Sequence, residues 1–121
     1  MTAIVVGVDD DRRVGESIES LMASAGYVAL LFWSAEEFLQ SGTLMVASCL
    51  IADLKMSGMD GIELQRSVRV ERPDLPVIII SAHCDDDVRR RALAGGAVDF
   101  LCKPLDPKHL LTTVGRALKG L

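Results

Sequence analysis

The chain has 121 residues, half of them hydrophobic and a quarter charged, with a formal net charge of −4. That length suits one domain with a real hydrophobic core, and the acidic balance gives no general attraction to nucleic acid or to an anionic membrane. No apolar run approaches the ~20 residues of a bilayer span, no secretory leader is legible at the N-terminus, and three cysteines without CxxC spacing argue against a disulfide framework or a zinc site.

The reading is therefore a single cytoplasmic domain over residues 1–121. Residues 3–8 form an apolar strand. Residues 12–26 follow as an amphipathic helix with Val14, Ile18, Leu21, Met22 and Ala25 on one face and Gly26 at its end. A second strand covers 27–33. Ser34-Ala35-Glu36-Glu37 has the form of a capping box, and a short helix runs from it to about Gln40. Residues 48–53 are a third strand, followed by a loop punctuated by Gly58 and Gly61.

A third helix fits 61–71 and stops before Pro73. Residues 76–81 are a fourth strand, continuously apolar as expected when both faces are covered. A polar helix fits 86–94 and ends at Gly95-Gly96, a fifth strand covers 97–102, and a last helix over 107–120 turns Leu110, Leu111, Val114, Ala117 and Leu118 inward. Five β-α units predict an α/β fold, a parallel sheet with helices on both faces.

Ligands of such sheets bind outside the carboxyl ends of the strands. The polar residues of interest fall there: Asp9-Asp10-Asp11 after the first strand, Asp53 after the third, Ser81 after the fourth and Lys103-Pro104 after the fifth. Clustered carboxylates repel one another unless a cation joins them, so the pattern points to a divalent metal. Asp53, alone at the end of a middle strand, is the candidate nucleophile, since a carboxylate can accept a phosphoryl group as an acyl phosphate. Magnesium held by Asp10, Asp53 and a backbone carbonyl of the next loop would supply positive charge, Lys103 more of it, and Ser81 a hydroxyl donor. Neither a GxxxxGK[ST] loop nor a GxGxxG after the first strand is present, so the donor is another protein or a small phosphate rather than bound ATP.

Five segments carry a family resemblance: Val8-Asp9-Asp10-Asp11, Ile51-Ala52-Asp53-Leu54-Lys55-Met56, Met59-Asp60-Gly61, Ile80-Ser81-Ala82, and Gly96 through Pro104. In this order and spacing the chain resembles the receiver domain of bacterial two-component response regulators over essentially its whole length. Ser34 to Leu39 together with Ala97-Val98-Asp99-Phe100 look most like the subfamily that often carries a helix-turn-helix output domain. The resemblance implies a flavodoxin-like, CheY-like sheet of order 2-1-3-4-5. It also implies roles: Asp53 as phosphoacceptor from a histidine kinase or phosphotransfer protein, and Mg²⁺ on Asp10, Asp53, the Lys55 carbonyl and Asp9, the last directly or through water. Ser81 and Lys103 would bind the phosphoryl group, with Lys103-Pro104 cis, and Phe100 would swing inward when Ser81 moves. The face of the fourth helix, fifth strand and fifth helix, roughly 86–118, would then control a downstream protein or tethered output domain, and homodimerisation on phosphorylation is possible through it. The chain itself would touch neither nucleic acid nor membrane.

Departures from the family pattern are Ser57, where a proline often stands, and Lys55 and His83 at positions that tune acyl-phosphate lifetime. Gly7 in the first strand weakens packing there and marks a close backbone approach. Asp11 reads as a helix cap. Cys49, Cys84 and Cys102 read as small buried hydrophobes, His83 as a partly exposed loop residue, Arg89-Arg90-Arg91 as a solvated helix face and Trp33 as packing at the sheet edge. Two other readings compete. A phosphatase of the haloacid-dehalogenase kind needs an acid two residues after the nucleophile, where this chain has Lys55. A receiver-like module that no longer accepts phosphate is opposed by the intact acid, serine and lysine set.

Overall fold

The computed structural model describes residues 2–120. Five strands, β1 (Ile4–Val8), β2 (Val28–Phe32), β3 (Cys49–Asp53), β4 (Val77–Ser81) and β5 (Asp99–Cys102), alternate with five helices, α1 (Arg12–Ser24), α2 (Ala35–Gln40), α3 (Gly61–Glu71), α4 (Asp86–Ala94) and α5 (Pro107–Leu118). All pairings are parallel and the order is β2-β1-β3-β4-β5.

Alternation along the strands divides the core. Val6, Val8, Leu50, Ala52, Ile79 and Phe100 pack beneath α2, α3 and α4. Val5, Cys49, Ile51, Ile78, Ile80 and Leu101 pack against Ile18 and Met22 of α1 and Leu110, Val114 and Ala117 of α5. Every residue of β3 and β4 is buried, which accounts for their apolar runs up to Asp53 and Ser81 at the strand ends. Gly7 is crowded by side chains rather than by backbone: a β-carbon there would stand 3.2 Å from a Leu31 methyl carbon and 3.6 Å from one of Ile18, pressing on β2 and α1 at once.

Aspartates start four of the helices. Asp11, Asp60, Asp85 and Asp106 each accept a backbone N–H of the first turn. Ser34 caps α2 through Glu37 N–H, but the Glu37 carboxylate reaches back to Trp33 N–H and not to that of Ser34, so the expected box closes one residue early. The full capping box lies at Asp60 and Glu63. Three further boundaries differ from expectation. A 3-10 turn occupies Thr43–Met45. Residues 97 and 98 belong to the turn before β5, entered through Gly96 at φ +103°. Ala25 is the exposed C-cap of α1 rather than a core residue.

Candidate functional site

Parallel pairing aligns the carboxyl ends of β1, β3, β4 and β5 along one edge, and Asp9, Asp10, Asp53 and Lys103 gather there. Asp9 follows β1 and is buried at 2 % exposure; its Oδ1 accepts Asp11 N–H at 2.9 Å. Asp10 is exposed, and its Oδ2 accepts the N–H of Ser57 at 3.4 Å, which holds the loop after β3 to the first strand's end. Asp53 ends β3 at 5 % exposure. One oxygen from each of Asp9, Asp10 and Asp53 lies within 4.8 Å of the others.

Lys103, which follows β5, extends into this group. Its Nζ lies 2.8 Å from Asp9 Oδ2 and 3.2 Å from Asp53 Oδ1. The Lys103-Pro104 bond is cis, as expected. Lys103 N–H donates to Ser81 O at 2.8 Å, which ties the end of β5 to the end of β4. The Ser81 hydroxyl oxygen accepts His83 N–H at 2.9 Å, which leaves its own hydrogen free for another acceptor. Phe100 is packed inward at 3 % exposure. The Lys55 side chain is exposed, and its carbonyl belongs to the loop that Ser57 ties to Asp10.

The electrostatics follow from three acids and one base in a half-dry cleft. Burial, then the nearby Asp9 carboxylate, push Asp53 up to about 6, against the pull of Lys103. Burial alone would lower Lys103, but its bond and charge interaction with Asp9, reinforced by Asp53, raise it overall. Asp9 Oδ2 has the Lys103 ammonium, at 2.8 Å, as its one close partner. A buried carboxylate oxygen with spare acceptor capacity, beside two more hard oxygen donors, fits a small divalent cation. The donor set therefore suits Mg²⁺.

Two residues hold the pocket together in ways the sequence reading left out. The Glu36 carboxylate, on α2, accepts Met59 N–H at 2.9 Å and so ties the β3–α3 loop to α2; that bond holds the Glu36 carboxyl below its ordinary value. Gly61 starts α3 against the backbone of Asp53, and its N–H donates to Leu54 O at 2.8 Å. An acid two positions into a capped helix and a glycine after aspartate were the available signals, and neither names its distant partner.

The expectation for two of the cysteines is overturned. Cys49 is a buried apolar residue as expected, but Cys84 and Cys102 are exposed and joined by a disulfide, with Cα atoms 5.9 Å apart. They stand in register-adjacent segments after β4 and at the end of β5, which sequence spacing does not reveal. Elsewhere the surface is close to expectation. Arg89, Arg90 and Arg91 are exposed, although Arg89 also reaches the Phe100 carbonyl at 3.5 Å. Trp33 lies over Gly15 and beneath Arg12, 4.5 Å from the ring centroid. No helix among the described residues is long and apolar enough to cross a membrane.

Comparison with known proteins agrees with this geometry. The sequence profile of the response regulator receiver domain matches residues 5–115. Nodulation protein W of Bradyrhizobium diazoefficiens is 39% identical over 112 residues, 93% of this chain and 49% of that protein. The transcriptional regulatory protein FixJ of the same organism is 33% identical over 112 residues, 93% and 55% of the two chains. The chain thus spans about half the length of the curated relatives it matches. Among solved structures, the BeF3-activated receiver domain of DrrB from Thermotoga maritima superposes with a TM-score of 0.91 at 26% identity, covering 98% of this chain and 99% of that one. With the fold, the site and the matched profile in agreement, the chain belongs to the response regulator receiver domain family.

Proposed function

We propose that residues 1–121 form one receiver domain that works as a phosphorylation-controlled switch in the cytoplasm, taking a phosphoryl group onto Asp53 from a histidine kinase or phosphotransfer protein. The observation that carries this reading is the convergence of buried Asp53 with Asp9, Asp10 and the Lys103 ammonium at the carboxyl end of the sheet. An Asp53 carboxylate oxygen attacks phosphorus as the P–N bond of a phosphohistidine breaks, and the electron pair of that bond leaves with the imidazole nitrogen. Negative charge then sits on the phosphoryl oxygens. Lys103, already 3.2 Å from Asp53, meets one of them, and the free hydrogen of the Ser81 hydroxyl is donated to another.

Asp9, Asp10, Asp53 and the Lys55 carbonyl would hold Mg²⁺, which when bound neutralises the acids and the incoming phosphoryl oxygens. The acyl phosphate is later hydrolysed within the same pocket, with exposed Lys55 and His83 at its rim bearing on how water approaches. Ser81 and Phe100 act as the switch between the pocket and the α4-β5-α5 face. That face meets a downstream protein, a tethered output domain or a second copy of the chain; the greater length of the relatives favours a tethered domain.

The test is incubation with Mg²⁺ and acetyl phosphate, followed by intact-mass measurement, with beryllofluoride binding as a hydrolysis-proof second readout. The expected result is one added phosphoryl group that is absent in Asp53→Asn. Turnover of many phosphoesters would instead favour a phosphatase, and failure of both reagents to bind would mark a module that no longer accepts phosphate.

A further inference from the structure

The structure places a covalent link beside the phosphoryl pocket that none of this chemistry uses. Cys84 lies in the loop after β4, three residues beyond Ser81, and its Sγ is 3.4 Å from Ser81 O. Cys102 ends β5; it is paired in register with Ser81 and immediately precedes Lys103. The bridge therefore ties the loop leaving Ser81 to the residue before Lys103. It also closes a ring over a sequence separation of 18 residues that contains all of α4 and Phe100. Phe100 lies within that ring and Ser81 beside it.

The pair is built for reversible chemistry. Both cysteines are exposed, so small thiols and disulfides reach them. Their Cα separation of 5.9 Å lies in the range disulfides ordinarily span, so the fold permits closure without rearranging the sheet. The third cysteine cannot compete: Cys49 is fully buried in β3, and burial pushes its thiol up to about 12. α4 itself is lightly anchored, with Ala92 its one buried residue, so a covalent tie at its start has much freedom to remove.

We propose that Cys84 and Cys102 are a reversible thiol–disulfide modification site, oxidised by a low-molecular-weight disulfide, whose closure clamps the β4–α4 loop in the arrangement that receives the phosphoryl group. In the reaction one cysteine thiolate attacks the small disulfide and expels one small thiol. The second cysteine then attacks the mixed disulfide and expels the other. Two protein thiols lose two electrons and two protons, and the small disulfide is reduced to two thiols. The direction of the effect follows from what the closed bridge accompanies: Phe100 inward, Lys103 reaching Asp53, and the Ser81 hydroxyl oxygen held by His83 N–H with its hydrogen available. Fixing a loop in its bound arrangement strengthens binding by lowering the ordering cost. This direction rests on the phosphoryl-switch reading.

The test uses the full chain in defined ratios of reduced to oxidised glutathione. Thiol counting under denaturing conditions should give three free thiols in the reduced form and one in the oxidised form. Calorimetric titration with beryllofluoride and Mg²⁺ should show the oxidised chain binding roughly tenfold more tightly, within the usual span of coupling between sites. By reciprocity, beryllofluoride should make the disulfide harder to reduce by about 30 mV, the two-electron equivalent of tenfold. Cys84→Ser should bind equally in both buffers. Equal or weaker binding by the oxidised wild type, or no intramolecular disulfide at any glutathione ratio, would overturn the proposal. Amide hydrogen exchange at residues 82–85 is measured on the same samples without phosphoryl ligand. Slower exchange in the oxidised chain supports the clamp, and unchanged exchange overturns it. Binding of beryllofluoride by neither form would sink the phosphoryl-switch reading, and the exchange data would still decide whether the clamp exists.

Discussion

The carbonyl of Asp53 occupies the space that a β-carbon on Gly61 would need, and that carbon would also stand 3.0 Å from the carbonyl carbon of Asp53 and from Leu54 Cα. The obstruction is backbone, which cannot rotate aside as a long side chain would. Asp53 is thus positioned partly by the start of α3, eight residues further along the chain. Gly61→Ala should lower unfolding stability by about 2 kcal/mol, as overpacking at a close-packed site does. Urea unfolding checks this. The same variant should label more slowly with acetyl phosphate, because the shift required is in Asp53, the residue proposed to accept the phosphoryl group.

Asp53 also sets a pH dependence of stability. Its native value near 6 lies above the ordinary 3.8, so between those values the folded chain binds more protons than the unfolded one. Stability is therefore greatest below about pH 4 on this account, falls as pH rises through about 6, and the loss is complete above that. Asp53→Asn removes the buried charge. At pH 8 and without divalent cations it should be more stable than wild type by on the order of 2 kcal/mol, and below pH 4 the two should converge. Adding Mg²⁺ at pH 8 should raise the melting temperature of wild type more than that of the variant. Thermal unfolding at pH 3.5 and pH 8 checks both statements, and a variant less stable than wild type at pH 8 would contradict the repulsion described.

The alternation of strands and helices was legible because strand ends and helix periods are local in sequence. Asp9, Asp10, Asp53, Ser81 and Lys103 could be grouped since a parallel sheet brings all its carboxyl ends to one edge, whatever the details of packing. Part of what escaped depends on pairs distant in sequence, and part on where a helix or turn ends. Cys84 and Cys102 meet only through the register of β4 with β5. Glu36 finds Met59 N–H across 23 residues. Ala25 obeys the helical period but falls where α1 has already ended, so period alone put it on the wrong side. Residues 97 and 98 are as apolar as a strand, yet the turn at Gly96 carries them past the ladder's start.

Lys103 bridges Asp9 and Asp53 with 18 % of its side chain exposed, so its removal strands two carboxylates in a site that remains mostly dry. Lys103→Met should destabilise the protein at pH 8 by roughly 2–3 kcal/mol, at the low side of the cost of breaking a buried pair. The penalty should shrink as pH falls through about 6, since protonation of Asp53 removes part of the unpaired charge. Mg²⁺ should recover part of the stability. Labelling by acetyl phosphate should nonetheless fall at least about tenfold, because charge that develops on the phosphoryl oxygens has lost its fixed partner. Stability recovered by Mg²⁺ together with undiminished labelling would show that Lys103 is only a structural counterion.

Gln65 is buried in α3 at 2 % exposure; its amide nitrogen donates to Ala92 O at 3.0 Å, while its Oε1 has no hydrogen-bond partner. One bond is thus set against one orphaned acceptor. Ala92 O also accepts Ala97 N–H at 3.1 Å, so it keeps a partner if Gln65 is replaced. Gln65→Met has similar volume and no polar atom to strand, and should change unfolding stability by less than about 1 kcal/mol. The effect should appear in α4 instead. That helix buries only Ala92, and its C-terminal turn is held to α3 by Gln65 and by Arg69, whose guanidinium donates to Gly95 O at 3.2 Å. Amide exchange across residues 88–94 should quicken in the variant while exchange in β3 and β4 stays unchanged. A uniform rise across the sheet would mean that Gln65 supports the whole fold, whereas a local one identifies it as the tie that keeps α4 seated.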